Sequence, residues 1–235
     1  MHDNIILSTE DLSAGYGGKP VLQGVDMTIH EGEIVAVIGR NGVGKSTLMK
    51  SLIGLLPADR GSINFKGHNI VSMKAHQRAR QGMGYVPQGR DVFPRMSVEE
   101  NLLVGNSISG KTENLENIYE YFPILAERRR QRAGTMSGGQ QQQLAIGRIL
   151  VADPSLILLD EPSEGIQPSI VQEIAQLLIK INGTTGLTVL FVEQNIDMIR
   201  AMAQRCYVMD KGRITAELTG EMLKDGDLIR RHLSV

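Results

Sequence analysis

The chain has 235 residues, roughly one and a half times a typical domain of about 150. It is 41% hydrophobic and 22% charged, which excludes a disordered chain and gives ample material for a buried core. Its 25 Lys and Arg against 26 Asp and Glu leave a net charge of −1, which argues against a dedicated nucleic-acid binder. A single cysteine, Cys206, excludes an internal disulfide and any cysteine-based metal site, and the five histidines have no ligand spacing. No apolar run approaches about 18 residues. The acidic start MHDNIILSTED lacks the apolar segment of a signal peptide. These features together point to a reduced, cytosolic compartment.

Residues 4–12 and 20–30 alternate apolar and polar around Gly-Tyr-Gly-Gly, and predict two strands joined by a turn. Glu33–Ile38 is a short continuous apolar run, the pattern of a buried strand. After GRNGVGKST, the stretch LMKSLIGLL is apolar at helical spacing. Gly61–Phe65 and Gly82–Pro87 predict further strands around a helix near Ser72–Gln81. Residues 88–153 are more polar and read as mostly helical. Within them Ser97 and Glu100 form a capping box. The run Glu127–Arg132 predicts a solvated helix face. SLILLDE (155–161) and LTVLFV (187–192) then predict two more buried strands. Ile170, Ile174, Leu177, Leu178 and Ile181 mark one face of the helix between them. CYVMD and RITAEL flank Lys211-Gly212, a hairpin signal, and Cys206 is expected to be a buried strand residue. This is an α/β chain: a parallel-sheet core (1–87 plus 154–235) with a helical insert at 88–153.

Gly39-Arg40-Asn41-Gly42-Val43-Gly44-Lys45-Ser46, followed by Thr47, matches G-x-x-x-x-G-K-[ST] in full. Glycines let the backbone close around phosphate oxygens. The N–H groups and the helix N-terminus then face the negative charge. Lys45 is expected to neutralise the terminal phosphates and the Ser46 hydroxyl to ligate Mg²⁺. The match lies between a predicted strand and a predicted helix, the context that gives it weight.

Asp160 and Glu161 stand at the end of a predicted buried strand. In open α/β sheets ligands sit at the carboxyl ends of strands. Asp160 is therefore a candidate for Mg²⁺ or its water, and Glu161 for activating the attacking water. Earlier in the chain, Ser137-Gly138-Gly139-Gln140 opens a predicted helix. Ser137 can cap it, and the glycines bare the N–H groups, so a second anion seat is expected there.

Taken together, these motifs resemble the ATP-binding cassette ATPases, whose signature reads L-S-G-G-Q; here Met136 replaces the leucine. The resemblance covers nearly the whole chain. It implies a P-loop (RecA-like) core with an N-terminal antiparallel β subdomain and an inserted helical subdomain. It also implies ATP and Mg²⁺ as cofactors. By this resemblance Tyr16 stacks on adenine, and Gln88 senses Mg²⁺ and the γ-phosphate. Ser137, Gly138, Gly139 and Gln140 close on the ATP of a second subunit, sister or self, in a head-to-tail dimer. Two membrane permeases contact the helical insert, within Gly89–Leu103. An extracytoplasmic solute-binding protein joins indirectly, and no nucleic acid is involved. The chain would sit on the cytoplasmic side of the inner membrane.

Two positions depart from the family pattern. Where the switch histidine falls in V-x-H-D, this chain reads Val192-Glu193-Gln194-Asn195, so an amide stands in place of an imidazole. It can hydrogen-bond phosphate but cannot carry charge. Where the family has S-A-L-D, Ser163-Glu164-Gly165-Ile166 stands, which removes the expected aspartate. VEQN, PSEGIQPS and VPQGRDVFPRMSVEENL resemble the second ATPase of importers for branched-chain amino acids, urea or short-chain amides. GIQPS leans toward the urea and amide branch. The ATPase of lipopolysaccharide export and a soluble scaffold of iron–sulfur assembly are the alternatives.

Overall fold

The computed structural model describes residues 4–109 and 114–233. Strands β1 (Ile5–Tyr16) and β2 (Lys19–His30) form the expected hairpin. β3 (Ile34–Ile38) is buried at every residue and leads through the glycine loop into α1 (Lys45–Ile53). β4 (Arg60–Phe65), β5 (His68–Asn69), α2 (Ala75–Arg80) and β6 (Met83–Val86) follow. Next come α3 (Val98–Ser109), α4 (Asn114–Tyr121), α5 (Pro123–Glu127) and α6 (Gly138–Leu150). The chain then alternates through β7 (Leu156–Asp160), α7 (Pro168–Thr185), β8 (Thr188–Glu193) and α8 (Ile196–Met202). It ends with the hairpin β9 (Arg205–Asp210) and β10 (Arg213–Thr219), then α9 (Glu221–Lys224) and α10 (Gly226–Leu233).

The strands sort into two sheets. An antiparallel sheet has the order β2-β1-β4-β5, and a larger one the order β10-β9-β3-β8-β7-β6. In the larger sheet β9, β3, β8, β7 and β6 run parallel, and β10 is added antiparallel at the edge. Parallel strands covered on both faces need apolar residues throughout, and the runs IVAVI, LILLD and TVLFVE meet this need. Alternate side chains feed opposite cores. Ile34, Ala36 and Ile38 join the core that holds Leu102, Leu144 and Leu178. Val35 and Val37 face Leu48, Leu52 and the antiparallel sheet. At the second hairpin Lys211 and Gly212 both have positive φ, 45° and 76°, the turn geometry that matches strand twist.

The arginine-rich run departs from expectation. Its residues are solvated, but α5 ends at Glu127 and the run leaves the helix. The competing interaction is tertiary. The first N–H groups of α3 have no partner within their own helix. The backbone carbonyls of Gln131 and Arg129 accept from Val98 (3.0 Å) and Glu99 (3.0 Å). Ser97 and Glu100 complete that helix start as the expected capping box, at 2.6 and 3.1 Å.

Arg78 shows how α1 is held at its far end. It is 1% exposed, and its guanidinium donates to the carbonyls of Ser51 (2.7 Å), Leu52 (2.7 Å), Val71 (2.9 Å) and Met73 (3.0 Å). Burial pulls its pKa down to about 10, so the cation persists at neutral pH. Positive charge at a helix C-terminus complements its dipole. We expect Arg78→Met to strand these carbonyls and cost about 3 kcal/mol. Thermal melting checks this: the midpoint should fall by roughly 6–12 °C, and an unchanged midpoint would contradict the assignment.

Candidate active site

The parallel strands β3, β7 and β8 release their chains at one edge of the sheet. The three segments that leave there carry the site. The loop after β3 enters α1 through Gly44, whose φ of 114° suits a residue without a side chain. No side chain caps α1, so its first N–H groups form an open seat for an anion.

Lys45 is only 4% exposed. Its ammonium donates to the carbonyls of Gly39 (2.8 Å) and Arg40 (3.0 Å) and lies 3.6 Å from Glu161 Oε1. Burial lowers its pKa, and the charge of Glu161 acts against that shift. Asp160, at the end of β7, accepts from the Ser46 hydroxyl (2.9 Å) and the Tyr85 hydroxyl (3.2 Å). Burial raises its pKa above the usual carboxylate range, and these two hydrogen bonds pull it back.

Glu161 follows with φ of 48°, a conformation that costs a residue with a Cβ about 1–2 kcal/mol. The twist brings its carboxylate to three donors. Gln88 Nε2 donates to Oε2 (3.2 Å), Gln194 Nε2 donates to Oε1 (3.0 Å), and Lys45 approaches from the phosphate loop. Gln194 Nε2 also donates to Asn41 Oδ1 (2.6 Å). These contacts close a cleft of about 200 Å³, lined by Asn41, Gly42, Lys45, Ser46, Gln88 and Glu161 among others.

Most other singled-out residues lie elsewhere. Val43 is buried and does not line the cleft, Thr47 is buried but lines it, and Arg40 contributes its carbonyl to Lys45. Tyr16 ends β1, is 48% exposed, and does not line the cleft. Ser137 caps α6 as expected: its hydroxyl accepts from Gln140 N–H (3.3 Å), and Gln140 Oε1 accepts from Ser137 N–H (3.0 Å). Ser137, Gly138, Gly139 and Gln140 border a separate groove of about 610 Å³. In one chain this groove and the cleft at the phosphate loop share no lining residue.

Three residues escaped the sequence reading. Tyr85, in β6, holds Asp160. Glu193, 2% exposed, accepts backbone N–H groups from both loops beside the cleft. Its place at a strand end, like that of Asp160, was the available signal. Arg90 donates to the carbonyls of Glu164 (2.9 Å) and Gly165 (3.4 Å); nothing in the local pattern around it indicated that reach.

Residues 22–164 match the ABC transporter family. The chain belongs to that family. It is 42% identical over 96% of its length to the high-affinity branched-chain amino acid transport ATP-binding protein BraG of Pseudomonas aeruginosa, of which it covers 97%. It is 35% identical over 93% of its length to the probable branched-chain amino acid transport protein LivF of Archaeoglobus fulgidus, covering 94% of it. The lipopolysaccharide export protein LptB of Escherichia coli is 34% identical over 97% of this chain and 96% of its own. Among solved structures, a nucleotide-free ATP-binding cassette superposes with a TM-score of 0.84 at 29% identity, covering 98% of this chain and all of the other. The chain is thus an ABC ATPase with the P-loop cassette fold. It resembles the branched-chain amino acid transport ATPases.

The Arg90 contact ties the segment after Gln88 to the loop after Glu161. We expect Arg90→Ala to raise amide exchange across residues 163–167 at least about threefold, because a loop tether is lost. Exchange followed by mass spectrometry checks this, and unchanged protection would show that the tether is idle.

Proposed function

We propose that this chain is the ATP-hydrolysing subunit of an importer whose solutes are branched-chain amino acids or the related ureas and short-chain amides. The relatives from Pseudomonas aeruginosa and Archaeoglobus fulgidus favour the amino acids. The observation that carries the catalytic reading is Glu161, held beside the phosphate loop by Lys45, Gln88 and Gln194. In this reading Gly39, Arg40, Asn41, Gly42, Val43 and Gly44 wrap the phosphates with Thr47 behind them. Lys45 neutralises the terminal phosphates. Glu161 accepts the proton of the attacking water. Gln194 and Gln88 orient that water and the γ-phosphate, and Tyr16 stacks on adenine.

Ser46 Oγ and Asp160 Oδ1 lie 2.9 Å apart and are hard oxygen donors of the kind Mg²⁺ takes alongside substrate phosphates. Gln88 is the further metal candidate. When bound, Mg²⁺ neutralises phosphate charge and fixes the phosphate chain. Ser137, Gly138, Gly139 and Gln140 complete the site of a second cassette subunit. The separation of the two anion seats in one chain supports that head-to-tail arrangement.

We assign residues 88–153 to a helical subdomain that meets two permeases. Outside the Gly89–Leu103 segment expected to carry the contact, an apolar groove of about 270 Å³ lies between α2, β6 and the end of α6, lined by Leu55, Ala79, Met83, Tyr85 and Ile149, and offers a further seat for a permease. Among the described residues no helix is long and apolar enough to cross a membrane. The permeases would hold the chain at the cytoplasmic face of the inner membrane and link it to a solute-binding protein. A second reading, lipopolysaccharide export, is favoured by the Escherichia coli relative.

Glu161→Gln should bind ATP as before, turn over at least about a hundredfold more slowly, and accumulate as an ATP-dependent dimer. Hydrolysis at the parental rate would remove Glu161 as the base. Ala79→Glu should abolish recovery of permeases with the tagged chain from solubilised membranes, since a charge would be buried in the groove. Its melting midpoint serves as the folding control. Retained permeases would place the contact elsewhere, and lipid-handling permeases would select the export reading.

A further inference from the structure

Glu193 ends β8, and both of its carboxylate oxygens are committed to backbone. Oε1 accepts from Ser163 N–H at 2.8 Å, in the loop after β7. Oε2 accepts from Gln194 N–H (2.8 Å) and Asn195 N–H (2.9 Å), in the loop after β8. A carboxylate 2% exposed is tolerated only when such donors replace its water. The same bonds fix the course of both loops. Asn195 is held further, because its side chain caps α8 by accepting from Met198 N–H at 3.0 Å. Gln194, between these anchors, is thereby aimed at Glu161 Oε1 (3.0 Å) and Asn41 Oδ1 (2.6 Å).

We infer that Glu193 is a positioning residue for ATP hydrolysis: its carboxylate sets the Gln194 amide against Glu161 and locks that geometry to the Ser163 loop. The inference rests on the proposed role of Gln194. Glutamine at position 193 would keep the size but supply one acceptor oxygen instead of two. Its NH₂ would then face either Ser163 N–H or the paired N–H groups of Gln194 and Asn195. One loop would lose its anchor, while the hydrogen bonds of Lys45 within the phosphate loop would keep their partners.

The test is a double-mutant cycle on the full chain, read as single-turnover ATP hydrolysis and as ATP affinity. Glu193→Gln is expected to lower the hydrolysis rate at least about tenfold with ATP affinity within about twofold. In the Gln194→Ala background the same change is expected to lower it less than about threefold, because residues that act as a unit are not additive. Glu193→Asp retains two acceptor oxygens and is expected to fall between parent and Glu193→Gln. If Glu193→Gln does not fold, Glu193→Asp decides the matter: a slowed rate at unchanged ATP affinity supports the inference. Parental hydrolysis in the folded variant, or an equal loss in both backgrounds, overturns it. Parental hydrolysis in Gln194→Ala alone overturns the role of Gln194 and this inference with it.

Discussion

Three carboxylates crowd the carboxyl-terminal edge of the parallel sheet, and the buried Lys45 stands among them. Asp160 and Glu161 leave β7, and Glu193 ends the neighbouring β8. Burial strips a carboxylate of its water, so each carboxylate here needs its own donors. Asp160 takes two hydroxyls, Glu161 two amides and the ammonium, and Glu193 three backbone N–H groups. Most of the local architecture is the supply of those donors. Tyr85 reaches from β6, Gln88 from the segment after it, and Gln194 from the segment after β8.

The fold makes this crowding possible. A sheet buried on both faces can end its strands in polar residues only at the edge, where the chain turns back to solvent. β3, β7 and β8 are adjacent and parallel, so their exits coincide. The order β8-β3-β9 puts the phosphate loop at the centre of that edge. Arg78 holds the far end of α1, and the alternating core residues of β3 lock the strand from both sides. The phosphate loop is thus mounted between a strand buried at every residue and a helix anchored at its far end.

Much of this was legible in the sequence, because it depends on local pattern. The apolar runs gave the buried strands, G-x-x-x-x-G-K-S gave the phosphate loop, and the capping box at Ser97 and the N-cap at Ser137 gave two helix starts. Tertiary partners were not legible. The Glu127–Arg132 run reads as helix by propensity, yet its carbonyls serve the N-terminus of α3. Arg90 reaches across 74 positions to Glu164. Glu193 looked like the polar end of an apolar run, and only the packed loops reveal a buried carboxylate with three donors. Tyr16 and the Ser137 segment stand outside the cleft of the single chain, a placement that local pattern does not carry.

The central claim is that this edge is built for phosphate accompanied by a divalent cation. Asp160 and Glu161 beside Lys45 and Ser46 should resist a bare polyphosphate, while a cation held by Ser46 and Asp160 would relieve the repulsion. The direct measurement is calorimetric titration of ATP into the full chain, with Mg²⁺ and again with the cation removed by chelation. The account predicts affinity at least about tenfold weaker without Mg²⁺, a difference of about 1.4 kcal/mol. Equal affinity in the two titrations would contradict it, and would mean that the loop and Lys45 alone answer the phosphate charge.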